Sequence, residues 1–170
     1  MTTSPARLKQ MLADIVGTLR ARGIGHAVAG GLAMAVHGEA RATKDLDLLI
    51  AGSDASAADE AMRLLGFRAE VQRPGFVRYV RHPLPDLPEL SEWADLLFAR
   101  QPFGLRLLRE AQDMPIPWET NLALPVVSAR GLILMKALAH AQDRTRLQDL
   151  ADIQTLLRRI DPADGAALIA

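Results

Sequence analysis

The chain has no cysteine, so disulfide bonds and thiolate metal ligands are excluded. It carries no net charge at neutral pH. That excludes the global basic field of a dedicated nucleic-acid binder, although not a local basic patch. Aromatic residues make up only 4% of the sequence. Tyr79, Trp93 and Trp118 are too scattered to predict a base-stacking platform, though each could stack singly on a nucleotide. Lysine is scarce among the 20 basic residues, leaving only Lys9, Lys44 and Lys136 against a background of arginine. No long apolar run is free of charge, so no membrane span is expected. The opening MTTSPARLKQMLADIV has charges throughout and no signal-peptide core, which makes the cytoplasm the expected location. Neither a Walker A sequence nor a Gly-x-Ser-x-Gly elbow is present, so P-loop and hydrolase readings lack their motifs.

What is present is an ordinary globular balance: 170 residues, 49% hydrophobic and 24% charged. One domain over 1–170 is expected, with a core at about 24–127 and C-terminal helices at about 128–160. Leu8, Met11, Leu12, Ile15, Val16 and Leu19 recur at helical spacing, and Gly23 and Gly25 end that helix. A strand is predicted over 26–29, a short helix over 32–37, a second strand over 46–51 and a helix to about Leu65. Residues 67–72 and 76–81 flank Arg73-Pro74-Gly75 and predict a hairpin. A proline-rich loop over 82–89 leads to a strand over 92–99 and a helix over 102–112. One or two strands follow within 114–127, then a helix capped by Ser128 to about Gln142, and a last helix from Arg144 or Thr145 to Ile160. This order predicts an α/β (α+β) architecture, a small mixed, twisted sheet with flanking helices and a C-terminal helical pair.

The most informative stretch is residues 29–50, AGGLAMAVHGEARATKDLDLLI. Gly30 and Gly31 sit between a strand-like and a helix-like segment, where backbone N–H groups can hold phosphate. Asp45 and Asp47 are two residues apart on a predicted strand, so both carboxylates project to one face. Two such acids beside Leu46, Leu48 and Leu49 repel each other unless a cation joins them. Either motif alone is common in turns or solvated strands. Together, at this spacing, they point to Mg²⁺-dependent chemistry on a nucleoside triphosphate.

The pattern GG-x-A-x-x-x-x-x-G-x-x-R-x-T-x-D-x-D resembles the signature of the nucleotidyltransferase superfamily typified by DNA polymerase β. It is most similar to the abortive-infection type toxins of the AbiEii and MenT group. The resemblance implies the nucleotidyltransferase fold, with Gly30 and Gly31 contacting the triphosphate, Arg41 and Thr43 steadying it, and Asp45 and Asp47 as Mg²⁺ ligands of a two-metal site. It implies a third acid on a neighbouring strand, for which Asp95 in WADLL is favoured over Asp86, Glu89 and Glu92. It also implies a triphosphate-binding and catalytic role for Lys136, with Arg144, Asp149 and Asp152 completing a C-terminal pattern. Gln148 stands where that pattern has a lysine. Ion pairing among Lys136, Arg144, Arg146, Asp149 and Asp152 is as strong an expectation for the two acids as catalysis. His37 reads as a capping residue, and His26, His82 and His140 lack a metal-ligand spacing.

The implied activity is transfer of a nucleoside monophosphate to an acceptor, tRNA or protein, by a toxin with an antitoxin as partner and no membrane. An aminoglycoside-type small-molecule nucleotidyltransferase and a non-catalytic nucleotide-binding module of the same fold remain open alternatives.

Overall fold

The computed structural model describes residues 5–39, 43, 45–82 and 91–160. Helix α1, Pro5–Ala21, buries the apolar stripe from Leu8 to Leu19. Strand β1, His26–Val28, is wholly buried, and α2, Gly30–Val36, begins at the glycine pair itself. Strand β2, Asp45–Ala51, is followed by a short 3₁₀ turn and α3, Ala55–Leu64. Strands β3, Arg68–Arg73, and β4, Phe76–Arg81, form the expected hairpin, with Gly75 in the turn at φ 77°. Then come β5, Glu92–Ala99, and α4, Pro102–Arg109. A second hairpin pairs β6, Gln112–Ile116, with β7, Glu119–Val126. Helices α5, Ala129–Gln142, and α6, Leu147–Leu157, pack on each other.

All seven strands join one mixed sheet in the order β3-β4-β5-β2-β1-β7-β6. β2 and β5 run parallel at its centre, as do β1 and β7, while β1 and β2 are antiparallel. Alternation along β2 divides its residues between two faces. Leu46, Leu48 and Ile50 are fully buried, whereas Asp45 and Asp47 on the opposite face are only partly so. Burial of each such aliphatic side chain contributes on the order of 2 kcal/mol. β5 repeats the pattern, with Ala94 and Leu96 in the core and Asp95 on the acidic face. Helix α3 lies over the other face, where the Tyr79 hydroxyl donates to Asp59 at 2.8 Å.

Several boundaries differ from expectation for local reasons. The helix predicted over 102–112 stops at Arg109, because Gln112 onward pairs with β7. The last helix starts at Leu147, because Asp143 accepts from the Thr145 backbone N–H (3.0 Å) and hydroxyl (2.6 Å). That turn removes residues 143–145 from the helix. Ser128 caps α5 as expected, accepting from Gly131 N–H at 3.1 Å. Among the described residues no helix is long and apolar enough to cross a membrane.

Candidate active site

Strand register sets the acidic cluster. Asp95 lies opposite Asp47 in the parallel β2–β5 ladder. Arg78 lies opposite Asp95 in the antiparallel β4–β5 ladder. Three adjacent strands therefore line up Arg78, Asp95 and Asp47 across the sheet, with Asp45 two residues before Asp47 on the same face. Asp95 is buried, and Asp45 remains about a third exposed.

The glycine turn closes the other side. Gly30 has φ 55° and its Cα abuts the Asp47 carboxylate, and the Gly31 N–H donates to that carboxylate. The pair that reads in sequence as a phosphate cradle is thus packed directly against the acids. Burial and the neighbouring charges of Asp45 and Asp95 push the Asp47 carboxyl up to about 7, against the pull of the Gly31 hydrogen bond and Lys136. Thr43 spends its hydroxyl on the Asp45 carbonyl at 3.0 Å, holding the start of β2.

One cation stands among these acids. Arg78 Nε donates to Asp95 Oδ1 at 2.8 Å and Nη2 to Oδ2 at 2.6 Å, a bidentate pair. The same Nη2 reaches Asp45 Oδ2 at 3.3 Å. Hard oxygen donors gathered around a positive group suit a hard divalent cation in charge and chemistry, with Arg78 as its stand-in. Among the described residues no group of three or more His, Cys, Asp or Glu is arranged to hold a metal ion.

The sequence profile of a family described as nucleotidyl transferase AbiEii toxin, Type IV TA system, matches residues 19–170. The chain belongs to the AbiEii nucleotidyltransferase family. No curated protein matches it. Solved structures similar to this AbiEii chain include ANT(2'')-Ia in complex with adenylyl-2''-tobramycin, at 13% identity and TM-score 0.68, covering 94% of this chain and 92% of that one. The lincosamide antibiotic adenylyltransferase LnuA, lincomycin-bound, matches at 13% identity and TM-score 0.60, covering 94% and 100%. An antigenic nucleotidyltransferase-like protein from Paracoccidioides brasiliensis matches at 19% identity and TM-score 0.61, covering 95% and 80%. At such identities the likeness shows the shared fold, which is the nucleotidyltransferase fold expected from the glycine and aspartate motifs.

Across from the acids, the AbiEii chain presents α5 and α6. A cavity of about 120 Å³ separates Gly30 and Asp47 from Leu132, Lys136, Arg146 and Asp149. Lys136 is buried and ion-paired with Asp149 at 3.1 Å and Asp152 at 2.5 Å. Arg146 Nε binds the second Asp149 oxygen at 2.6 Å, and Gln148 donates to Asp152 at 2.9 Å. The expected ion-pair network is therefore present, and the arginine lining the cavity is Arg146, two residues beyond Arg144.

The competitors for the third acid fall away by geometry or lie outside view. Glu92 precedes Asp95 by three residues and so projects to the opposite face, where Arg81 binds it at 2.6 Å. Arg81 also reaches Asp14 and the Leu65 carbonyl, tying β4 to α1 and the end of α3. Arg41, Asp86 and Glu89 lie outside the described residues. His37 caps α2 and bonds the Val127 carbonyl at 2.9 Å, the structural role expected of it. A larger cavity of about 480 Å³ lies on the other face of the sheet, beside Tyr79 and Phe98. Its one carboxylate, Asp59, is already bound by Tyr79 and Arg63. Sequence reasoning missed Arg78 and the cavity position of Arg146. Arg78 sits in an ordinary hairpin strand, and only the register with β5 marks it.

Proposed function

We propose that this nucleotidyltransferase moves a nucleoside monophosphate from a nucleoside triphosphate to an RNA or protein acceptor, with Mg²⁺ held by Asp45, Asp47 and Asp95. The observation that carries the reading is the in-register pairing of Asp47 with Asp95, with Asp45 on the same face and Gly30 packed against Asp47. Carboxylates are the donor class a hard cation takes, and the neighbouring charges of Asp45 and Asp95, with burial, push the Asp47 carboxyl up to about 7, a repulsion that a bound cation would relieve. Bound there, divalent cations would neutralise charge on the α-phosphate and polarise the attacking oxygen.

The chain's own residues do the rest. Gly30 lets the backbone pack directly against Asp47, and the Gly31 N–H, which bonds that carboxylate, is the backbone donor nearest a bound triphosphate in this reading. Lys136 and Arg146 line the facing wall and supply positive charge toward the triphosphate, steadied by Asp149. Thr43 fixes the strand that carries Asp45, and Arg41 precedes it. In this reading Asp95 takes the proton of the attacking hydroxyl after releasing Arg78, which holds both its oxygens. The acceptor oxygen then bonds to the α-phosphorus, the α–β bridge breaks, and pyrophosphate leaves with the bonding electron pair.

The family is described as a type IV toxin family, and on that basis we infer an antitoxin partner and a cytoplasmic target, with tRNA the first acceptor to test. The structural likeness to ANT(2'')-Ia and LnuA, which are found with an adenylylated aminoglycoside and with lincomycin, favours a second reading in which the acceptor is a small antibiotic. Incubation with each α-labelled nucleoside triphosphate, Mg²⁺ and either total RNA, cell protein, tobramycin or lincomycin separates the two. Label in a macromolecule supports the toxin reading. Label only in an antibiotic supports the second, and label in none of them contradicts both.

A further inference from the structure

We propose that Arg78 is an internal counter-ion that competes with the divalent cation for the acidic cluster, so that cation binding requires its guanidinium to leave Asp95 and Asp45. This rests on the reading of Asp45, Asp47 and Asp95 as the cation site. Three carboxylates on one face would repel one another in the unloaded protein. Arg78 relieves that repulsion from a neighbouring strand, opposite Asp95. Its fork satisfies both oxygens of Asp95 and one oxygen of Asp45. Those are the same oxygens a hard cation would need, and while they accept from Arg78 they cannot all turn to a metal.

Lys136 and Arg146 act on Asp47 only through space, and neither forms an ion pair with Asp45 or Asp95. Lys136 is committed to Asp149 and Asp152, and Arg146 to Asp149. Arg78 also has a surface to move to. Its side chain is about a third exposed, and its guanidinium lies 5.9 Å from the Trp93 ring, which gives a second resting surface on the same sheet face. Trp93 pairs with Asp45 in the β2–β5 ladder, so the arginine needs only a side-chain rotation to pass from acids to ring. A bidentate, charge-assisted pair on a buried carboxylate is stronger than an ordinary surface ion pair. Its loss to the incoming cation should weaken binding by about tenfold or more.

Calorimetric titration of Mn²⁺ into the nucleotide-free protein tests this with wild type, Arg78→Gln and Asp45→Asn. Arg78→Gln is expected to bind Mn²⁺ at least about tenfold more tightly than wild type, because the competitor is gone. Equal or weaker binding by Arg78→Gln, with Asp45→Asn still lowering affinity, overturns the role of Arg78 and leaves the cation site standing. Wild-type affinity in Asp45→Asn overturns the cation site itself. A second measurement needs no substitution. The Arg78 Nε–H resonance of the wild-type protein should shift and exchange faster with water on Mg²⁺ addition. A cation that binds while leaving that resonance unchanged contradicts displacement.

Discussion

A Cβ at position 30 would overlap the Asp47 carboxylate, so the first glycine of the pair is fixed by an acid 17 residues later. The same glycine holds φ 55°, a conformation side chains disfavour. Gly30→Ala should therefore cost about 2 kcal/mol or more and displace Asp47 from line with Asp95. Urea unfolding checks the stability, and transfer activity should fall with it. A variant of wild-type stability and activity would show that the turn and the acid are not mutually constrained.

Lys136 balances two buried acids from the facing helix. Lys136→Met would leave Asp149 with only Arg146, and Asp152 without its lysine, costing about 3 kcal/mol. Adding Asp152→Asn should recover part of that loss, because one uncompensated charge disappears. Urea unfolding of both singles and the double completes the cycle. Strict additivity would contradict the pairing.

His26 contributes a pH dependence of definite sign. Its ring is buried, Nδ1 donates to the Ile24 carbonyl at 3.0 Å, and burial holds its pKa below 6.5. As pH falls through 6.5 the unfolded chain takes up a proton that the folded one refuses, so folding weakens toward acid. Asp47, pushed up to about 7, titrates with the opposite sign, since its folded form keeps a proton the unfolded form has lost. Comparison of wild type with His26→Leu cancels the Asp47 contribution. The stability of wild type relative to the variant should drop between pH 7.5 and 5. A pH-independent difference would contradict the histidine's role.

Much of this site is local in sequence. Asp45 and Asp47 share a face because strands alternate, and Gly30 marks a turn because its positive φ and the adjoining Asp47 carboxylate leave no place for a side chain. The strand carrying Asp95 has its predicted bounds, since EWADLLFA combines aromatic and leucine bulk with a flanking proline-rich stretch. Other features depend on long-range register. Arg78 acquires meaning only when β4 pairs with β5, and no pattern within 76–81 distinguishes it from Arg81, which projects to the opposite face. Arg146 rather than Arg144 reaches the cavity because the Asp143–Thr145 turn delays the start of α6. Strand order and cavity walls come from tertiary pairing, which periodicity does not encode.

Asp45, Asp47 and Asp95 are proposed to form the reacting centre. The most direct test measures Mg²⁺-dependent pyrophosphate release, with the accepted nucleotide, by wild type and by Asp45→Asn with Asp47→Asn. Release from wild type should require Mg²⁺ and should fall by at least about a hundredfold in the folded double variant. A folded double variant that releases pyrophosphate at the wild-type rate would contradict it.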